Sequence, residues 1–139
     1  MARWILSFAV GIAGSGMAVL AHHSIAAVYD SSRKATVEGA VIRFQFINPH
    51  PLLTIGVVDG GGKAQEWLLE MDNRSELAAV GMTAETLTPG DRVVVTGSLA
   101  RAQANRIYIS RLDRPADGFR YEQVGSSPRV RAPSRPRSG

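Results

Sequence analysis

Residues 35–62, with the sequence ATVEGAVIRFQFINPHPLLTIGVVDGGG, determine the fold class of this chain. The first half is rich in β-branched and aromatic side chains, which favour a strand. Gly39 interrupts it and predicts a bulge or a sharp bend. Pro49 and Pro51 end the strand, because proline lacks a backbone donor. A second apolar run, residues 52–59, ends at three glycines, so the stretch predicts two strands joined by a proline-bounded loop.

Three further strands and one short helix are predicted downstream. The strands cover residues 66–71, 92–99 and 106–112. Asn73 predicts the N-cap of a two-turn helix, and Gly81 can end it. This order is that of a mainly β, small five-stranded OB-like barrel with one short helix between strands 3 and 4. A small sandwich or split barrel would share the order of elements.

Two polar clusters predict turns between these elements. Asp30-Ser31-Ser32-Arg33 predicts a turn before the first strand, because Asp and Ser side chains bond to nearby backbone groups. Thr88-Pro89-Gly90-Asp91 places proline and glycine at the central positions of a type II turn. We therefore expect the first strand to begin near residue 35 and the fourth near residue 92.

The first 21 residues have the layout of a secretory signal peptide. Arg3 precedes an uncharged run, and Val19-Leu20-Ala21 ends it with residues that signal peptidase accepts. Cleavage after Ala21 predicts a periplasmic or secreted protein that begins at His22 and has no stable membrane insertion. An uncleaved anchor is the alternative, since the run approaches the about 20 residues that span a bilayer.

Charge divides the remaining chain into two parts. Residues 22–113 hold nine Lys/Arg and ten Asp/Glu, a net of −1, whereas residues 114–139 hold six Arg and two acidic residues, a net of +4. Scattered prolines and few aliphatic residues predict a disordered Arg/Pro-rich tail that is dispensable for folding. The predicted domains are a signal peptide (1–21), a barrel (22–113) and this tail. A basic excess confined to a tail does not indicate nucleic acid as a partner, but it suits an anionic envelope polymer.

The sequence favours a binding or structural protein over an enzyme, and we assign no catalytic residue. The chain has no cysteine, which excludes disulfides, thiolate metal sites and a cysteine nucleophile. Ser24 beside His23 is not a recognisable nucleophile–base pair. The glycine runs lack the strand-to-helix context of a phosphate-binding loop.

All three histidines lie in two short motifs, His22-His23-Ser24 and Asn48-Pro49-His50. Cleavage after Ala21 would place a free α-amine beside the His22 imidazole, and the two can chelate a metal ion. His50 can add a second imidazole, and a nitrogen-rich site of this kind favours Cu(II). Zinc is a lesser alternative. In a second arrangement the amine, an amide nitrogen and the His23 imidazole bind together.

The sequence leaves open whether the N-terminal arm reaches His50. If residues 22–29 paired back on the first strand, His22 would lie about 30 Å from His50 along an uncurved strand. The alternative is that His22 and His23 are polar residues of a new terminus and that His50 is a turn residue.

The loops joining strands 1 to 2 and 4 to 5 border the ligand face of an OB barrel. They supply three ligand-loop candidates here, Asn48, Arg101 and Arg106. We therefore expect an exported small binding module of unknown ligand, with copper as the candidate metal. The alternative is a non-metal structural or envelope-stress protein that binds a protein or anionic polymer through the barrel and the tail.

Several motifs are spread along the chain between residues 22 and 118. They are His22-His23-Ser24-Ile25-Ala26-Ala27-Val28-Tyr29-Asp30, Asn48-Pro49-His50, Trp67 with Glu70, Leu87-Thr88-Pro89-Gly90-Asp91 and Asp117-Gly118. Together they resemble the DUF6152 family of small exported bacterial proteins of unknown function. The resemblance spans about residues 20 to 118, and Ile25 and Met82 stand where the family usually has Phe and Trp. It implies the fold, export and the position of the site, but no activity.

Overall fold

Seven strands and one short helix follow a helical turn at residues 25–28 in the computed structural model, which describes residues 25–134. The mainly β prediction is confirmed, and the structure adds two strands to the five predicted. The predicted signal peptide, with His22 and His23, lies outside the described residues. The strands are β1 (Tyr29–Gln45), β2 (Leu52–Val58), β3 (Ala64–Glu70), β4 (Arg92–Ala100), β5 (Arg106–Arg114), β6 (Phe119–Val124) and β7 (Ser127–Arg131), and the helix is α1 (Arg74–Ala79).

The sheet has the order β3-β2-β1-β4-β5-β6-β7, and β3 also pairs in parallel with β5. The first five strands therefore form a cycle of pairings, β1–β2–β3–β5–β4–β1. The long strand β1 pairs with β4 along most of its length and with β2 through its last residues. At Gly39 strands β1 and β2 approach so closely that a Cβ atom added to Gly39 would overlap the carbonyl oxygen of Gly56. The expected irregularity lies just beyond, where the register shifts between Val41 and Arg43.

The polar cluster at residues 30–33 lies inside β1 and not before it, so the predicted start of this strand is wrong. Asp30 pairs with Leu99 of β4, and Lys34 pairs with the neighbouring Ser98. The residues between them bulge out of the ladder, and the Ser32 amide donates to Asp30 Oδ1 at 3.0 Å. The expected Asp–Ser turn chemistry is present, but it shapes a bulge between two halves of one strand.

The helix and the turn that follows it form as the sequence indicates. Asn73 is the N-cap, and its side chain accepts from the Ser75 amide at 2.8 Å. Leu77 is fully buried, which contributes about 1.5–3 kcal/mol of apolar burial. Gly90 has φ +91°, and the Asp91 amide bonds to the Thr88 carbonyl, as expected for a type II turn. No helix within residues 25–134 is long and apolar enough to cross a membrane.

The disordered tail predicted for residues 114–139 is contradicted by the hairpin of β6 and β7. Phe119 and Tyr121 are buried and belong to the hydrophobic core. Their alternate positions on β6 place both side chains on one face of the strand. The surrounding arginines and prolines masked this short alternation, because the average composition resembles that of a disordered segment. The hairpin is therefore part of the folded domain, which extends beyond the predicted boundary at residue 113.

A buried arginine holds the corner between β5 and β6. Arg114 Nη1 lies 2.8 Å from Asp91 Oδ2 and donates to the Thr86 carbonyl, while Nη2 lies 2.8 Å from Asp117 Oδ2. Only 4% of its side chain is exposed. Removing one partner of a buried ion pair costs about 3–5 kcal/mol, because it leaves an uncompensated charge. Asp91 and Asp117, which belong to two of the motifs identified in the sequence, therefore have a structural role.

Candidate functional site

A cavity of about 410 Å³ lies on the outer face of the sheet. The helical turn and the β1 bulge border one side, and the β3–α1 connection and the β6–β7 turn border the other. This volume falls within the range of about 300–1,000 Å³ that is typical of small-molecule sites. The cavity is therefore the candidate functional site.

Strands β4 and β5 supply the floor of the cavity. Ser98 of β4 pairs with Lys34 of β1 on one side and with Tyr108 of β5 on the other. The Tyr108 ring lies 5.6 Å from the Tyr29 ring, measured between centroids. Ile25, from the helical turn, adds an apolar side chain. The floor thus combines aromatic surface with polar groups, as ligand sites commonly do.

His50 borders the cavity, as the sequence predicts for a site residue. Its Nδ1 lies 3.1 Å from the carbonyl oxygen of Met71. A carbonyl oxygen can only accept a hydrogen bond, so Nδ1 must carry the proton. In the neutral ring Nε2 then keeps its lone pair. Metal-binding histidines commonly have this arrangement, in which the second nitrogen is held by a backbone carbonyl.

The cationic side chains of the cavity are Lys34 and Arg101. Lys34 Nζ donates to Ser98 Oγ at 2.8 Å, which leaves two of its three N–H groups. Arg101 Nε donates to the carbonyl oxygen of Ala26, and its Nη1 lies 3.5 Å from Asp30 Oδ2. Hydrogen bonds from Ser32, followed by the charge of Arg101, lower the pKa of Asp30. Arg101 therefore connects the helical turn to the β4–β5 loop and borders the cavity, as expected for this ligand-loop candidate.

The acidic side chains, Asp72 and Glu76, come from the β3–α1 connection and from the helix. Asp72 accepts hydrogen bonds from its neighbour's amide and from Gln123 Nε2. Burial, followed by the negative charge of Asp72, raises the pKa of Tyr108 well above its usual value. The phenol therefore stays protonated and acts as a donor. Gln123 belongs to β6, so the C-terminal hairpin helps to hold the acidic side of the cavity.

A family model, described as a family of unknown function (DUF6152), matches residues 10–107. The chain belongs to the DUF6152 family. No curated protein matches it significantly. The matched region of this DUF6152 chain contains the helical turn, β1 to β4, α1 and the first two residues of β5. It therefore includes the segments on both sides of the cavity, except the β6–β7 hairpin.

Two of the predicted ligand-loop residues of this DUF6152 chain lie outside the cavity. Asn48 is exposed in the β1–β2 loop. Arg106 donates from Nε to the Tyr29 hydroxyl at 2.7 Å and from Nη2 to Glu70 at 3.0 Å. Burial, followed by the hydrogen bond to Glu70, raises the pKa of Tyr29, so it too remains a neutral donor. Tyr29, Glu70 and Arg106 therefore form a partly buried structural cluster.

Metal binding cannot be completed by the described residues of this DUF6152 chain alone. Within residues 25–134 no group of three or more His, Asp or Glu side chains is placed to hold a metal ion. His50 offers one free nitrogen, and the other predicted ligands, His22 and His23, lie outside the described residues. Lys34, Glu76 and Gln123 were missed by sequence reasoning, because they reach the cavity through the β1 bulge, helix α1 and the hairpin, respectively.

Proposed function

We propose that this chain is an exported small binding module that holds its ligand in the cavity beside His50. The observation that carries the proposal is the cavity itself, which is bordered by both predicted ligand loops through His50 and Arg101. We interpret the cycle of five paired strands, with α1 between β3 and β4, as an OB-like barrel. In that fold these two loops border the ligand face.

Export is proposed from the N-terminal sequence. Arg3, the uncharged run and Val19-Leu20-Ala21 have the order of a signal peptide and its cleavage site. Cleavage after Ala21 would begin the mature chain at His22, three residues before Ile25. The metal proposal depends on this processing, since only a free α-amine can chelate together with the His22 imidazole.

Cu(II) is the metal that we propose for the histidine side of the cavity. His50 Nε2 would supply one ligand, and the α-amine and imidazole of His22 would supply two more. The position of Ile25 supports this combination, because Ile25 borders the same cavity as His50. Three residues of extended chain span about 10 Å, far less than the separation of about 30 Å expected from pairing on the first strand. Cu(II) leads the affinity order for nitrogen ligands, ahead of Zn(II).

A Cu(II) titration of protein beginning at His22 tests this proposal. His50→Ala and an added glycine before His22 should each weaken binding at least tenfold, whereas Asn48→Ala should leave it unchanged. His23→Ala distinguishes the two N-terminal arrangements, since a large loss indicates that the amine, amide and His23 imidazole bind together. Affinity should fall as the pH is lowered, because the ligand nitrogens must lose their protons. If neither His50→Ala nor the added glycine changes the affinity, the proposed copper site is wrong.

Binding of an anionic polymer is a second candidate function, supported by the charges of the β5–β6–β7 face. Arg129 and Arg131 of β7 are exposed at the end of the sheet. Arg131 pairs across the ladder with Arg120, which is already 2.6 Å from Asp113. The face therefore has unneutralised positive charge. Salt-sensitive binding to polyglutamate that is lost in Arg129→Ser/Arg131→Ser would support this function, and unchanged binding would exclude this face.

A further inference from the structure

The charged side chains of the cavity are sorted by sign onto opposite sides. Lys34 and Arg101 come from the β1 bulge and the β4–β5 loop. Asp72 and Glu76 come from the β3–α1 connection and from α1. A ligand with one kind of charge would be attracted by one side and repelled by the other. The arrangement therefore favours a ligand that carries both charges.

The strand register gives the separation of the two sides. Lys34, Ser98 and Tyr108 occupy neighbouring positions on three adjacent strands. At about 4.8 Å for each inter-strand step, the backbones of Lys34 and Tyr108 lie about 10 Å apart. Tyr108 and Asp72 line the same cavity, and the Asp72 charge acts on the Tyr108 phenol. The side chains shorten this distance, so a ligand that reaches both sides needs opposite charges separated by several ångströms. The two termini of a short peptide have such a separation.

The two sides also have hydrogen-bonding capacity that protein contacts leave unused. Lys34 donates one of its three N–H groups to Ser98. Glu76 is exposed, and within residues 25–134 its carboxylate has no hydrogen-bond or ion-pair partner. Asp72 already accepts hydrogen bonds from the Asn73 amide and from Gln123 Nε2. Glu76 is therefore the residue of the acidic side with the most unused capacity to bind an ammonium group directly.

We propose that the cavity binds a small zwitterion of the size of a dipeptide or tripeptide, with its carboxylate at Lys34 and Arg101 and its ammonium group at Glu76. This inference rests on the proposed function only in taking the cavity as the ligand site. Tyr29, Tyr108 and Ile25 supply surface for the part of the ligand between its charges. A volume of about 410 Å³ excludes a long peptide lying wholly inside.

Trialanine, bound to the metal-free full chain and measured by calorimetry, tests the inference. Metal is removed so that peptide binding is measured separately from Cu(II) binding at His50. N-acetylation or C-terminal amidation of trialanine should each weaken binding about tenfold, since each removes one charged contact. Lys34→Gln should weaken trialanine binding and reduce the preference for a free carboxylate, while the preference for a free amine remains. Glu76→Gln should give the reverse pattern.

Lys63→Gln and Glu66→Gln are the matched controls, because both residues are exposed and lie away from the cavity, and neither change should alter binding. The inference is overturned if trialanine does not bind, or if blocking its termini has no effect. Separate samples of protein beginning at His22, titrated with Cu(II) without peptide, distinguish the two proposals. If Cu(II) binds in a way that depends on His50 but trialanine does not bind, only the zwitterion proposal is overturned. If neither Cu(II) nor trialanine binds, the proposal that the cavity is the ligand site is overturned as well.

Discussion

The first five strands and the C-terminal hairpin contribute to the same sheet, but their sequences show it in very different ways. Strands β1 to β5 have sustained apolar runs bounded by proline, glycine and turn motifs. The hairpin has only Phe119 and Tyr121 as large buried side chains, among arginines and prolines. Two aromatic residues at alternate positions can thus anchor a segment in the hydrophobic core, even though the average composition of the segment suggests disorder. The segment also completes the acidic side of the cavity through Gln123.

Tyr121→Ala is expected to give the largest loss of stability of the three changes considered in this comparison. Tyr121 is fully buried in the core. Truncating a buried aromatic side chain costs about 3–5 kcal/mol, which urea unfolding would measure. Val124→Ala, on the same strand but exposed, should change the free energy of unfolding by less than about 0.5 kcal/mol. A similarly small effect of Tyr121→Ala would show that the hairpin does not pack on the core.

Gln123→Ala should have an intermediate effect, because it breaks the connection between the hairpin and the cavity. The Gln123 side chain accepts from the Tyr121 hydroxyl at 2.8 Å and donates to Asp72. Leaving these buried groups without partners costs about 1–3 kcal/mol. Gln103→Ala, at an exposed position, is the control. Equal unfolding free energies for the two variants would contradict the role given to Gln123.

Asp113→Asn should give the smallest effect, and this effect should depend on pH. Burial alone would raise the pKa of Asp113, but hydrogen bonds from Arg111 and Arg120 outweigh it and hold the pKa below its usual value. A depressed carboxyl pKa adds stability above the unfolded-state value of about 3.9, and this stability is lost as the pH falls through the folded value. The variant should therefore lose stability at neutral pH and show a weaker decline below about pH 4. An unchanged acid profile would show that these surface pairs contribute nothing.

Local signals account for the parts of the fold that could be predicted. The Asn73 cap, the Thr88–Asp91 turn and the proline-bounded loop at His50 each depend on a few neighbouring residues. The β1 bulge was misread because Asp–Ser chemistry is the same in a turn and in a bulge. The hairpin was missed because its two large buried side chains, Phe119 and Tyr121, stand among arginines and prolines, so its average composition resembles that of a disordered segment.

The candidate site could be predicted only where a loop between strands carries it. His50 and Arg101 lie in the two loops for which the sequence predicts ligand residues, and both border the cavity. Arg106 was misassigned because sequence position alone does not reveal its bonds to Tyr29 and Glu70. Lys34 and Glu76 reach the cavity through the bulge and the packing of α1, which no local pattern indicates.

The central claim is that His50 and the mature N-terminus share one metal site in the cavity. Electron paramagnetic resonance of one equivalent of Cu(II), bound to protein beginning at His22, tests it most directly, because coupling to nitrogen reports the number of nitrogen ligands. The account predicts a spectrum with three nitrogen ligands that changes to two in His50→Ala. An identical spectrum for the two proteins would contradict it.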